Sequence, residues 1–343
     1  MGGLGREVAT TVKTLRIAVA LAVTGGCLYL ALRGAKWAEI LAVLDRTHYG
    51  WVAVMAATSV VVLYIRALRW RVLLEPAGRV AVWPLFSATA VGFMANMLLP
   101  LRAGEVIRPV LVGRQTTIST SAAVASVVLE RLFDMLLLFC FLLVISVAVP
   151  VPPAMERASY VVAGVIAVLL VGLVALLRYR GRAVGALRRV LGRLPGSVGS
   201  RIADVLEDFV TGLSGIKDGR TVGVLFLYSL AVWVVIAFTF SCGLLALDVG
   251  APLAAASVSL VVVVAAFVSL PQAPGYVGTW QAGCVWALGF YGVPREEAIG
   301  FSLVTHVIQL LVVVVLGATC LAADGLGLGD LIALARGRRK SKP

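Results

Sequence analysis

The run VGVLFLYSLAVWVVIAFTFSCGLLAL, Val222 to Leu247, holds no charged residue and decides the fold class. Spanning about 30 Å of hydrocarbon takes roughly 20 apolar residues as a helix. Within lipid each backbone N–H and C=O must be satisfied internally, so a run of this length forms a helix or part of a closed barrel. Barrel strands alternate in polarity, and this run does not. Leu253 to Leu270 and Ile299 to Ala323 repeat the pattern. The fold is therefore all-α, a polytopic integral membrane protein rather than a soluble enzyme.

Composition agrees. The 343 residues are 61% hydrophobic and only 14% charged, with a mean hydropathy of +1.01. Soluble domains sit near 45–50% apolar and about 25% charged. The net charge of +13 would suggest nucleic acid in a soluble chain. Here the basic residues fall between hydrophobic runs, as topology signals and contacts for anionic lipids, so no nucleic-acid partner is expected. The five cysteines lie in apolar runs without metal-like spacing and read as small core residues. Lys13 and Arg16 precede the apolar run Ile17 to Leu32 much as in a signal peptide, but no A-x-A site follows, so an uncleaved first span is expected.

The expected spans are 15–33, 50–66, 119–149, 159–178, 222–247, 252–270, 276–293 and 297–323, about eight crossings. The insert 179–221 is rich in arginine, and the tail 331–343 carries Arg336, Arg338, Arg339, Lys340 and Lys342. Positive residues mark the cytoplasmic side, which puts the insert, the tail and both termini inside. The basic loop Arg66 to Arg79 and the start of the 119–149 span are then also inside. A single crossing over 84–118 cannot join them, so this stretch is expected to dip in and return as a re-entrant hairpin beside a cavity. Residues 1–330 form one transmembrane domain in this reading. Within the insert, Ser200 to Leu213 sets Ile202, Val205, Leu206, Phe209 and Val210 against Asp204, Glu207 and Asp208, an amphipathic surface helix.

Four clusters could carry chemistry. Arg66 and Arg69 share a helix face at the end of the second span, where guanidinium suits phosphate; a positive-inside anchor with Trp70 in the aromatic belt explains them equally. The stretch Gly92 to Pro109 places Asn96 in apolar surroundings, stops a helix at Pro100 and turns at Gly104. Arg102, Glu105 and Arg108 follow, an anion site in the manner of broken transporter helices or a headgroup rim with internal pairing. Glu130 and Arg131 lie near the inner edge of the hydrocarbon in the next span, with Asp134 about one turn deeper, where acids are costly and face a partner or water. They either fix the hairpin through a salt bridge with Arg102 or Arg108 or serve the substrate. Pro271, Pro274, Gly275 and Gly278, with Gln281, break a helix and free backbone groups. His306 is a hydrogen-bonded interior histidine or a proton relay.

These pieces resemble the flippase-like transmembrane family, the membrane domain of lysylphosphatidylglycerol synthases and its stand-alone relatives. They are Arg66-x-x-Arg69-Trp70, Asn96-x-x-x-Pro100-x-Arg102-x-Gly104-Glu105-x-x-Arg108-Pro109, Glu130-Arg131-x-x-Asp134 and Pro271-x-x-Pro274-Gly275-x-x-Gly278. In order, they cover residues 15–325. Many relatives carry Glu where this chain has Gln281, which puts a charged role there in doubt. The resemblance implies movement of a lipid between leaflets: an anionic or aminoacylated phospholipid, or a polyprenyl-phosphate-linked glycan.

The synthase domain of two-domain relatives does not follow before Pro343, so neither aminoacyl transfer nor any other enzymatic role is expected. No catalytic residue, cofactor or metal is assigned, and there is no phosphate-binding loop for ATP. A cell-membrane location is expected, and oligomerisation is left open. Two other classes compete. A lipid phosphatase or transferase would use Arg108-Pro109, but only His48 and His306 exist to carry a phosphohistidine. A membrane scaffold would tolerate replacement of Arg102 and Glu105.

Overall fold

A computed structural model describes residues 25–27, 29, 36–99, 102–148, 164, 219–270, 274–327 and 329–331. Most of the expected span 15–33, the span 159–178, the insert with its 200–213 helix, most of the tail, and Pro100 and Pro271 lie outside the described residues. Among the described residues all regular structure is helical. The elements are α1 (Trp37–Asp45), α2 (Tyr49–Leu74), α3 (Val82–Leu98), α4 (Gly104–Gln115), α5 (Thr120–Ala148), α6 (Gly219–Ala246), α7 (Leu253–Ser269), α8 (Thr279–Gly289) and α9 (Arg295–Ala323).

Among the described residues three stretches are long and apolar enough to cross a membrane: Tyr49–Ala77, Gly219–Ala246 and Arg295–Ala323. The helices α3 and α7 are apolar but shorter. Together they make a multi-pass membrane protein. Three expectations need correction. Helix α2 does not stop near Arg66, because Ala67 to Leu74 contains no breaker; it runs on until Glu75-Pro76-Ala77 tightens into a 3₁₀ turn. The 276–293 stretch yields only the 11-residue α8, about 16 Å long and too short to cross alone. The short helix α1 lies in a stretch expected to be loop.

The chain divides into two compact units. One comprises the described parts of 1–62, 90–104 and 234–327; its core includes Met94, Cys242, Leu260, Cys284, Ile299 and Phe301. Its helices approach closely over small residues. A Cβ added at Gly317 of α9 would lie 2.4 Å from the Met94 Cβ of α3. Such contacts replace the hydrophobic drive that lipid does not supply. Part-buried hydroxyls pair across helices: Thr239 donates to Thr58 at 2.9 Å, and Ser59 donates to Gln309 at 3.1 Å.

The other unit comprises the described parts of 63–89, 105–233 and 328–343. Leu63, Trp70, Leu85, Ile107, Leu111, Leu137 and Val232 are buried in it.

Helix α3 ends at Leu98 and α4 starts at Gly104, where the sequence predicts a break. The backbone folds back tightly. Asn96 Oδ1 accepts the Gly104 N–H at 2.8 Å, and a Cβ at Gly104 would fall 1.8 Å from the Gly92 carbonyl oxygen. Only glycine fits that approach. Asn96 thus caps an otherwise unbonded N–H at the start of α4.

Candidate functional site

In α5, Ser126, Glu130 and Asp134 recur every fourth residue and so form one polar stripe on an apolar helix. Arg66, Arg69 and Trp70 project from α2 and Arg108 from α4 onto that stripe. Arg69 is the centre: Nη1 lies 2.6 Å from Asp134 Oδ1, Nη2 lies 3.1 Å from Glu130 Oε1, and Nη1 also donates to Ser229 Oγ of α6 at 2.9 Å. Arg66 Nη1 stands 3.5 Å from Asp134 Oδ2 and 3.7 Å from Glu130 Oε1. Arg108 Nη1 donates to Glu130 Oε1 at 3.0 Å. Arg131 reaches Glu130 at 3.6 Å and Asp134 at 3.7 Å from the half-exposed rim. The rest are almost wholly buried: Arg69 and Glu130 are 0% exposed.

Aromatic rings complete the cluster. The Arg108 guanidinium lies 3.8 Å from the centroid of the Trp70 ring, whose Nε1–H donates to Ser126 Oγ at 2.7 Å. Arg66 lies 5.9 Å over Trp233 of α6. Such stacking suits a desolvated guanidinium.

The satisfaction of this cluster is uneven. A single oxygen, Glu130 Oε1, faces Arg66, Arg69, Arg108 and Arg131, while Glu130 Oε2 has no hydrogen-bond partner among the described residues. Arg108 Nε and Nη2 are also buried without one. Those two N–H groups form the side edge of the guanidinium fork, the edge that grips two oxygens of a phosphate or carboxylate. The four arginines face Glu130 and Asp134, and Glu105 acts on Arg131 from the rim. The cluster therefore carries an excess of positive charge inside helices that cross lipid.

The remaining sequence candidates lie in the other unit, except Glu105, which is half-exposed in this one. Arg102, expected to hold phosphate, takes a left-handed backbone (φ 52°) and donates from Nη2 to the Val268 carbonyl in the last turn of α7. The break before α8 is real: Pro274–Tyr276 is a 3₁₀ turn, with φ of 77° at Gly275 and 82° at Gly278.

Gln281 Oε1 accepts the Gly278 N–H at 2.8 Å, closing the start of α8. Its Nε2 donates to His306 Nδ1 at 2.9 Å, and His306 Nε2 donates to the Gly275 carbonyl at 2.6 Å. Trp280 stacks on the imidazole at 5.4 Å. Each polar atom of the two side chains has one complementary partner, so His306 serves here as a neutral clamp on the break.

Sequence reasoning missed Ser126, Ser229 and Trp233, and one of its two readings put Trp70 in the membrane belt. The four-residue spacing of Ser126, Glu130 and Asp134 was the available signal.

Residues 17–317 match the family described as the lysylphosphatidylglycerol synthase transmembrane region. The chain belongs to that family. Membership in the lysylphosphatidylglycerol synthase transmembrane family associates the chain with membrane lipids. Among curated proteins it is similar to "Glycosyltransferase AglD" of Haloferax volcanii, 28% identical over 315 residues. The match covers 81% of this chain and 50% of that protein, so the chain spans about half the length of the relative. This overturns the expectation that the chain has no enzymatic role, since the relative bears an enzyme's name. The physical flaw in that expectation is plain. A shortage of histidines and metal ligands argues against phosphohistidine or metal chemistry, but transfer at a lipid phosphate can rest on arginines and carboxylates.

Proposed function

We propose that the chain grips the phosphate of a membrane lipid at the Arg108 edge and carries the headgroup between leaflets. One observation carries this reading: a buried arginine whose bidentate edge has no partner among the described residues, in a cluster with surplus positive charge. Burying charge without full pairing is costly, and removing one partner of a buried pair costs about 3–5 kcal/mol. An arriving phosphate would supply the missing acceptors. The cluster is closed to solvent, so the lipid enters only when the surrounding helices part. In this reading 1–330 is one transmembrane domain of the cell membrane, 84–118 is re-entrant, and both termini are cytoplasmic. The break at 274–281 holds its shape through the Gln281 and His306 clamp. The lipid is a phospholipid or a polyprenyl-phosphate-linked sugar.

The relative's name favours a second reading, in which the same phosphate site holds a lipid substrate during glycosyl transfer. Both are tested by reconstituting the full chain in liposomes with headgroup-labelled phospholipids and lipid-linked sugars. Arg108→Lys keeps the charge but loses the fork, and leaflet exchange should fall about 10- to 100-fold. Equal exchange by wild type and Arg108→Lys for every lipid would remove the phosphate-fork mechanism. Release or transfer of the labelled sugar without exchange would favour the second reading.

A further inference from the structure

A second polar site lies where α2 begins and α6 ends, away from the arginines those helices carry at Arg66 to Arg71 and Arg220. By the positive-inside bias this is the face away from the cytoplasm. His48 and Asp248 meet there across 200 residues of sequence: His48 Nε2 donates to Asp248 Oδ2 at 2.9 Å. Tyr49, Trp51 and Val54 line an open cavity of about 550 Å³ beside them, within the size range of small-ligand pockets.

The pair is not needed to tie the two loops. The His48 N–H already donates to the Ala246 carbonyl at 2.7 Å, and the Val249 N–H to Leu244 at 3.0 Å. The side chains are 59% and 69% exposed, and so exposed a pair adds little to stability. Asp248 takes the left-handed backbone (φ 48°) that closes the C-terminus of α6, and this turn sets its carboxylate beside His48.

We propose that this pocket binds an uncharged, polyhydroxylated ring, the sugar headgroup of a lipid. The inference rests on the lipid-handling reading above and names its headgroup. The hydrogen bond to the Asp248 carboxylate oxygen fixes His48 with a proton on Nε2. His48 Nδ1 and Asp248 Oδ1 are then two neighbouring acceptors with no hydrogen bond among the described residues, spaced for adjacent hydroxyls. Tyr49 and Trp51, 77% and 39% exposed, offer apolar faces to the C–H side of a sugar ring. Among the described residues no lysine or arginine lines the cavity, which argues against phosphate here. The one carboxylate is engaged by imidazole, which argues against a bare cation.

The chain has only two histidines, so ¹⁵N-histidine NMR reports this site directly. The full chain would be held in a sugar-free amphiphilic polymer and titrated with methyl hexopyranosides, tetramethylammonium or inorganic phosphate. His48→Gln assigns the signals, and the buried His306 reports the fold. The hexosides should shift the His48 signal saturably, with half-saturation at about 1–10 mM. Asp248→Asn should weaken this about tenfold or more, because it replaces a charged acceptor, with His306 unmoved. Arg108→Lys should bind hexoside as wild type does. No saturable shift, or a shift with tetramethylammonium or phosphate alone, overturns the sugar site. In that outcome loss of lipid exchange in Arg108→Lys still supports the phosphate reading. Conversely, hexoside binding with undiminished exchange in Arg108→Lys retains the pocket and removes the fork.

Discussion

Two buried polar assemblies sit among the apolar helices, one in each unit, and they are solved in opposite ways. The Gln281, His306 and Gly275 clamp is neutral and complete: each polar side-chain atom meets one partner of the right kind. The arginine cluster is ionic and incomplete, with four cations crowded on one Glu130 oxygen and the Arg108 fork edge unmatched. Complete networks specify structure, whereas incomplete ones are high-stakes unless something else completes them. The contrast separates a hinge fastener from a ligand site without reference to where either lies in the sequence.

The hardest blow to this contrast is Glu130→Ala. It leaves Arg69 buried against Asp134 alone and Arg108 buried with no carboxylate partner among the described residues, and should cost about 3–5 kcal/mol. Thermal unfolding in nanodiscs would show a large fall, or no folded protein at all. Glu130→Gln keeps the volume and one acceptor, and should recover part of the loss. If both variants unfold like wild type, the cluster is not the electrostatic centre described here.

His306→Leu comes next, at about 1–3 kcal/mol, because it strands the Gln281 amide and the Gly275 carbonyl. The double variant His306→Leu with Gln281→Leu should cost less than the sum of the two singles, as expected of one network. Strict additivity would mean that the clamp does not act as a unit.

Much of this was legible beforehand, and the failures have physical causes. Charge-free runs placed α6, α7 and α9 to within a few residues, because a lipid span admits few alternatives. The break between Asn96 and Gly104 and the one before α8 were readable from Pro, Gly and a lone amide. The grouping of the arginines was only half readable. Arg108 with Glu130 follows from the one-face spacing in α5, but nothing local told that Arg102 would turn to the Val268 carbonyl. That choice depends on α7, far away in sequence. Trp70 misled because Trp beside arginine is the usual signature of a membrane boundary; here the ring is buried as a platform for Arg108.

A smaller stability effect sharpens the ligand side of the comparison. Arg108→Lys keeps the charge near Glu130 while losing the fork and much of the stacking on Trp70, so stability should fall by about 1 kcal/mol. A phosphate-bearing lipid that binds the folded state should raise the unfolding temperature of wild type and not of this variant. An equal rise in both would place the lipid elsewhere on the protein.

The smallest expected change is the most specific. Gln281→Glu, the residue that the family resemblance leads one to expect there, is nearly isosteric, and one carboxylate oxygen can still accept the Gly278 N–H. The other now faces His306 Nδ1, and two bare acceptors cannot hydrogen-bond to each other. Either the glutamate or Nδ1 must take up a proton, and because the imidazole already donates from Nε2 to Gly275, protonating Nδ1 gives a paired imidazolium without moving an atom. Stability should change by about 1 kcal/mol or less, since the lost amide bond is replaced by a charge-assisted one in the same place. The ¹⁵N spectrum, however, should change outright. Wild type should show His306 with a bare Nδ1 and a protonated Nε2, and the variant should show both nitrogens protonated. A wild-type signal with the proton on Nδ1 would mean that the amide faces the other way. The clamp would then lose the complementarity that sets it apart from the arginine cluster.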